Sequence, residues 1–246
     1  MNENYYIFIF LAFFAEVLGT VSGFGSSILF VPLASLFFDF KSVLGITAVF
    51  HVFSNLSKIA LFRNGIKKDI ALKLGIPAVI FVILGAWLTT FLPTKSIELA
   101  MNVLLVFLAV YLMVNFNKKI VQSDTNLFIG GMASGFLAGI AGTGGAIRGI
   151  TLSAFLLPKD IFIATSALID LGVDFSRAIV YIRHGYFDRQ FLFLIPFLIG
   201  ISILGSYTGK QILKVTSETV FRYIVLGVIV LTATFQIWRY FYDQTL

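Results

Sequence analysis

Cysteine is absent from this chain, which excludes disulfides, thiolate metal sites and cysteine nucleophiles. Charge is scarce as well: 12% of residues are charged, against about a quarter in a soluble domain. The two histidines, His51 and His184, stand far apart, so a histidine-based metal site is not expected. The motifs of soluble enzymes are missing too. No H-E-x-x-H and no G-K-[ST] phosphate loop occurs, and Gly142-Thr143-Gly144 lacks the later glycine of G-x-G-x-x-G because position 147 is Ile147. Residues 117–126 form the one long polar stretch, so no soluble domain is present to carry an active site or a nucleic-acid surface. No cofactor is called for.

What the chain does have is apolar length. Of its 246 residues 59% are hydrophobic, in runs at 5–38, 43–62, 70–92, 97–116, 127–157, 161–182, 191–212 and 220–242. About 20 residues at 1.5 Å each cross a bilayer, so the pattern predicts an all-α polytopic membrane protein of about eight spans. Residues 1–4 carry no positive charge and the run behind them is too long for a signal h-region, so a cleavable signal peptide is not expected. Trp238, Tyr240, Tyr242, Tyr5 and Tyr6 read as interfacial anchors. The net charge of +6 matters less than where the basic residues fall. Segments after even-numbered spans hold Arg63, Lys67, Lys68, Lys73, Lys118, Lys119, Arg183, Arg189 and Arg239; those after odd-numbered spans hold Lys41, Lys95, Lys159, Lys210 and Lys214. Eight crossings with this bias put both termini in the cytoplasm, in a multi-pass protein of the cell membrane. The oligomeric state stays open, a homo-oligomer included.

Two runs are too long for one straight helix. The second, 127–157, contains five glycines between Gly139 and Gly149, each less helix-favouring than Ala by about 1 kcal/mol. A break is expected there, and an unwound backbone survives in hydrocarbon only where protein or a water-filled cavity satisfies it. The first run has its own candidate break at Ser22, Gly23, Gly25, Ser26 and Ser27. A shift of 119 lays Gly23 on Gly142, Gly25 on Gly144, Ser26 on Gly145 and Pro77 on Pro196. The chain therefore reads as two homologous halves, 1–120 and 121–246, each of four segments and each opening with a glycine-rich broken helix. Four full spans per half make the halves parallel; if each glycine-rich run re-enters without crossing, the halves invert. The charge bias favours the first arrangement.

Under the same shift His51, Asn55 and Lys58 fall on Asp170, Asp174 and Arg177, and spacings of four and three put each set on one helix face. With Glu16 and Arg148 these supply three acidic and three basic residues inside apolar runs, where each charge costs about 2.5–3.5 kcal/mol and points to function. The six charges cancel, so an entering anion is balanced by a proton, with His51, Asp170 and Asp174 as candidates for coupling. Arg148 is the sharpest candidate for holding the anion, beside helix N-terminal N–H groups and the hydroxyls of Ser22, Ser26, Ser27 and Thr143. Plainer readings stand beside these. The glycines serve close helix packing, Arg148 pairs with Asp170 or Asp174, Asp174 pairs with Arg177, Lys58 and Arg177 extend toward the interface, and His51 is a hydrogen-bonded packing residue.

These motifs resemble those of the TauE/SafE sulfite exporter family, also described as the 4-toluene sulfonate uptake permease family. Its pattern G-x-G-G-G-x-x-x-V-P-L is met by Gly23-Phe24-Gly25-Ser26-Ser27 with Val31-Pro32-Leu33, and by Gly142-Thr143-Gly144-Gly145-Ala146 with Ile150-Thr151-Leu152. An R-x-G-x-x-D pattern is met at Arg183, Gly185 and Asp188, and approximated from Arg63 to Asp69. The resemblance implies a secondary permease, not an enzyme, that moves sulfite, a sulfonate or a related small anion by alternating access. Ser26, Ser27, Thr151 and Arg148 depart from the family pattern and imply an altered pocket. Two rivals differ in class: an intramembrane enzyme with Asp170 and Asp174 as its acidic pair, and a non-transporting assembly subunit.

Overall fold

The computed structural model describes residues 3–63, 65–114, 121–215 and 218–242; Asn64 and the stretch 115–120, which includes part of the polar connection between the halves, lie outside them. Its helices are α1 (Glu3–Ser22), α2 (Ser27–Ala34), α3 (Phe40–Leu61), α4 (Lys68–Leu88), α5 (Thr94–Val114), α6 (Asp124–Ala141), α7 (Gly145–Ser153), α8 (Lys159–Arg183), α9 (Ile195–Val215) and α10 (Glu218–Tyr242), with a 3-10 turn at Arg189–Leu194. No strand occurs among the described residues. Five helical stretches, Tyr5–Ser22, Phe40–Leu61, Lys68–Leu88, Thr94–Tyr111 and Arg189–Val215, are long and apolar enough to cross a membrane. Their outer faces carry exposed apolar side chains, such as Leu72, Ile76, Ile80, Ile83 and Trp87 along α4, as a lipid-facing surface requires.

Local chemistry sets the helix ends. Asp39 accepts the N–H of Ser42 at 3.0 Å at the start of α3, and Ser123 accepts that of Asn126 at 3.1 Å at the start of α6, each satisfying an otherwise orphaned donor. Both long apolar runs break where glycine allows a left-handed residue: Gly23 follows α1 at φ 72° and Gly142 follows α6 at φ 74°. A side chain there would cost roughly 1–2 kcal/mol in that conformation.

After each break the chain doubles back. Ser26 bonds Glu16 at 2.7 Å, the Phe8 ring meets Phe30 at 5.2 Å and Phe38 at 4.9 Å, and Tyr5 meets Phe38 at 5.8 Å. The second run does likewise: Gly130 lies against Thr151, and Gln122 donates to the Ala154 carbonyl at 2.8 Å. Each glycine-rich run is thus the tip of a helical hairpin, α1 with α2 and α6 with α7. Of the two courses open to each run, a broken span and a re-entrant turn, the charge bias had favoured the span. Each run reverses instead, because the left-handed glycine turns the backbone rather than merely loosening a straight helix.

The hairpins pack through small residues. Gly131, Gly135 and Gly139 of α6 press on the backbone of Leu74, Ala78 and Val82 of α4, while Gly205 and Gly209 of α9 receive Glu16 and Thr20 of α1. A Cβ at any of the three α6 positions would overlap a backbone carbonyl, so glycine is required for this close approach. Residue numbers rise together in both contacts, so each pair is parallel. Between α3 and α8 they run oppositely: Gly45 lies on Tyr186, His51 on Arg177 and Asn55 on Asp174. Helices α3 and α8 therefore cross antiparallel, and their polar stripes meet near the middle of both.

Candidate functional site

The two hairpin tips converge at that crossing. Ser27 at the start of α2 donates to Thr143 at 3.4 Å, and Gly145 at the start of α7 sits directly on the Phe24 carbonyl. Neither short helix has a side-chain cap at its N-terminus, so the positive ends of both α2 and α7 face the meeting point. A small cavity of about 20 Å³ lies there, room for about one water. Gly25, Ser26, Ser27, Gly142 and Gly144 line it from the tips; His51, Asn55 and Lys58 line it from α3, and Asp170, Asp174 and Arg177 from α8, with Arg148 alongside.

Each of the six charges singled out above is paired. Arg148, on α7, forms an ion pair with Asp170 and donates through Nε to Ser166 at 2.9 Å. Arg177, only 1% exposed, places Nε and Nη2 each 2.7 Å from Asp174 Oδ1 and donates Nη1 to the Gly142 carbonyl at 2.7 Å. The other Asp174 oxygen accepts from Asn55 at 2.7 Å. Lys58, 5% exposed, lies 2.9 Å from Glu16. Lys58 and Arg177 therefore turn inward, not toward the interface as a snorkelling reading expects, because a buried carboxylate awaits each. The pairings of Arg148 with Asp170 and of Arg177 with Asp174 are those the plainer readings foresaw. They fill the guanidinium faces that an anion would otherwise occupy.

Glu16 stands behind the cavity, fully buried. Its carboxylate accepts from Ser54 at 2.8 and 2.9 Å, from Ser26 at 2.7 Å, from Ser206 at 2.7 Å and from Thr20 at 3.4 Å. One side chain so ties the first hairpin to α3 and α9. His51 links this cluster to the Arg177 cluster, with Nε2 2.9 Å from Ser26 Oγ and Nδ1 3.3 Å from Arg177 Nη2. Arginine only donates, so Nδ1 accepts; Ser26 gives its proton to Glu16, so Nε2 donates. The network thus assigns a neutral ring protonated on Nε2.

Besides Glu16, four expected residues lie off the central cavity, Gly145 on the Phe24 carbonyl being one of them. Ser22 bonds back to the Gly19 carbonyl at 3.4 Å, Gly23 faces the ring of Phe162, and Thr143 borders a neighbouring apolar gap. Sequence reasoning missed Ser54, Ser166 and Ser206. Ser54 was within reach, since it shares a face with His51 and Lys58 at i+3 and i−4; Ser206, brought in by the α1–α9 contact, carried no local signal. Among the described residues no group of three His, Asp or Glu is placed to hold a metal ion.

The family model for the sulfite exporter TauE/SafE matches residues 8–235. The chain belongs to the TauE/SafE sulfite exporter family. It is also 26% identical over 235 residues to a probable membrane transporter protein of Methanocaldococcus jannaschii, covering 86% of each chain. No solved structure matches it. This family member is therefore a multi-pass membrane transporter and not an enzyme, which removes the rival reading of Asp170 and Asp174 as an intramembrane catalytic pair. The geometry agrees with that removal, since each carboxylate is engaged by its own arginine.

Proposed function

We propose that this transporter is a secondary permease for a small anion, a sulfur oxoanion or organosulfonate, working by alternating access about the two hairpin tips. The observation that carries this reading is the meeting of two uncapped helix N-termini and three paired cations at one small cavity. Helix N-termini and arginine forks suit oxyanions. With room for about one water, the cavity describes a state whose cation sites are occupied by the protein's own carboxylates. An arriving anion takes the place of Asp170 on Arg148, and a proton taken up with it keeps the centre neutral. Anion and proton then move together.

Two inverted halves fit this cycle. Positions related by the shift of 119 meet at Asn55 and Asp174, and the helices bearing them run antiparallel. Hairpins that return to their starting face leave three crossings per half, which inverts the second half and keeps both termini on one face. The basic residues then regroup. Among the described residues, Arg63, Lys67, Lys68, Lys73, Lys159, Lys210 and Lys214 fall on the face away from the termini, against Lys41, Lys95, Arg183, Arg189 and Arg239 on the other. The positive-inside rule then makes the first face cytoplasmic and both termini external, the reverse of what eight crossings imply.

The test is flux in proteoliposomes with sulfite, sulfate, sulfonates and carboxylates, with and without a pH gradient. Saturable uptake of one anion class, accelerated by the gradient, is the expected result. Background flux for the whole panel would overturn the reading.

A further inference from the structure

One face of α8 leads outward from the charged centre. Asp170, Ser166, Phe162 and Lys159 follow one another at spacings of four, four and three residues, so they line a single stripe from mid-helix to the helix start. Three cavities follow this stripe. The central one shares Gly25, Asn55, Lys58 and Asp170 with a second of about 20 Å³, which also reaches Ser166 and Ala167. That second cavity shares Gly23 and Ile163 with a third of about 330 Å³, bordered by Ser22, Ser153, Phe162, Lys159 and Leu213. The third is large enough for a small organic anion, and Lys159 at its rim is exposed. Phe162 stands between the large cavity and the small ones: a methyl group on Gly23 would lie 2.8 Å from its ring. No other glycine of the hairpin tips faces an aromatic ring so closely except Gly149, which meets Phe24.

We infer that the large cavity is the vestibule through which anions reach the centre, that Lys159 draws them to it, and that Phe162 seated on Gly23 is its inner door. This rests on the permease reading and adds to it a route and a residue that closes the route. The stripe makes the reason for each residue explicit. A lone ammonium at the rim favours anions over cations without holding them tightly, since an exposed charge acts over about a Debye length and is screened by salt. An aromatic ring against a glycine is a closure that needs only a side-chain rotation, because glycine presents no Cβ to block the ring's return. Beyond it the anion meets Ser166 and then Arg148, the pair already joined by a 2.9 Å hydrogen bond. By the charge sorting above, the vestibule opens on the basic, cytoplasmic face, because Lys159 and Leu213 lie at the ends of α8 and α9 there.

The natural absence of cysteine gives a clean test. Single cysteines are placed at Ser153, at the vestibule, and at Ala167, behind the door, and are reacted with the small anionic reagent sulfonatoethyl methanethiosulfonate and with its cationic trimethylammonium analogue. S153C is expected to react readily, and A167C at least tenfold more slowly. F162A is expected to raise the A167C rate about tenfold and leave S153C unchanged, which also reports that the variant is folded; F162L serves the same purpose if F162A loses S153C reactivity. K159Q is expected to lower the anionic-to-cationic rate ratio at S153C several-fold at low salt and to have no effect at high salt. A rate at A167C indifferent to both Phe162 variants, or a ratio indifferent to K159Q, overturns the inference. Labelling is measured without transport, so an intact labelling pattern with no anion flux would sink the permease reading alone, and intact flux with indifferent labelling would sink the vestibule alone.

Discussion

At the scale of single residues, the centre is a set of charges held neutral by their own neighbours. Removing one member of a buried pair strands the other, at about 3–5 kcal/mol. Glu16→Ala strands Lys58 together with the hydroxyls of Ser26, Ser54 and Ser206, so thermal unfolding in detergent is expected to shift down sharply. Glu16→Ala with Lys58→Met is expected to recover much of the loss, and a double variant no better than the single one would show that the ion pair is not the source. Arg148→Ala is expected to abolish anion flux and anion-dependent stabilisation in detergent while monodispersity is kept; unchanged anion affinity would remove Arg148 from the site. For His51 the hydrogen-bond logic calls for one donor toward Ser26 and one acceptor toward Arg177. His51→Gln supplies both and is expected to keep more flux than His51→Leu, measured side by side. The six intramembrane charges were legible in the sequence because lipid makes each conspicuous. Two of the pairings were legible as well, that of Asp174 with Arg177 from their i and i+3 spacing and that of Arg148 with Asp170 or Asp174 from the balance of charge; the contacts of Glu16 with Lys58 and Ser206 and of Arg148 with Ser166 arise from tertiary packing.

At the scale of elements, the decisive feature is a helical hairpin ended by a left-handed glycine. Gly142→Ala is expected to cost roughly 1–2 kcal/mol for its backbone alone, and more because the new methyl meets Leu44. Gly135→Leu is expected to be worse, since it drives a side chain into the Ala78 backbone and separates α6 from α4. A smaller effect of Gly135→Leu than of Gly142→Ala on thermal stability would contradict the packing described here. The glycine clusters announced both breaks, because five glycines between residues 139 and 149 cannot favour a helix. They did not announce the direction taken after the break. A loosened helix and a reversed one share the same composition, and what distinguishes them is the positive φ of Gly23 and Gly25 at one tip and of Gly142 at the other, together with ring contacts such as Phe8 on Phe30.

At the scale of the whole molecule, the proposed arrangement has reversal at both tips leave six crossings rather than eight, which sets the face that is basic. A reporter fused at either terminus is expected to lie outside the cell, and a cysteine at Lys67 inside, as read by an impermeant thiol reagent on intact cells. Cytoplasmic termini would restore the eight-crossing arrangement. The helical class was plain from run lengths, whereas sidedness could not be, since it depends on counting crossings that composition alone cannot count. The Asn55–Asp174 bond has its own consequence for descent. In two identical subunits related by a twofold axis, a residue on that axis meets a copy of itself, and two aspartates there would repel. An unlike pair needs two different subunits or, as in the inverted-half arrangement proposed above, a single chain with unlike halves. Exchanging the two, N55D with D174N, would keep the bond but carry the negative charge onto the other helix and away from Arg177, so the exchanged protein is expected to lose the Asp174–Arg177 ion pair that the native order supplies.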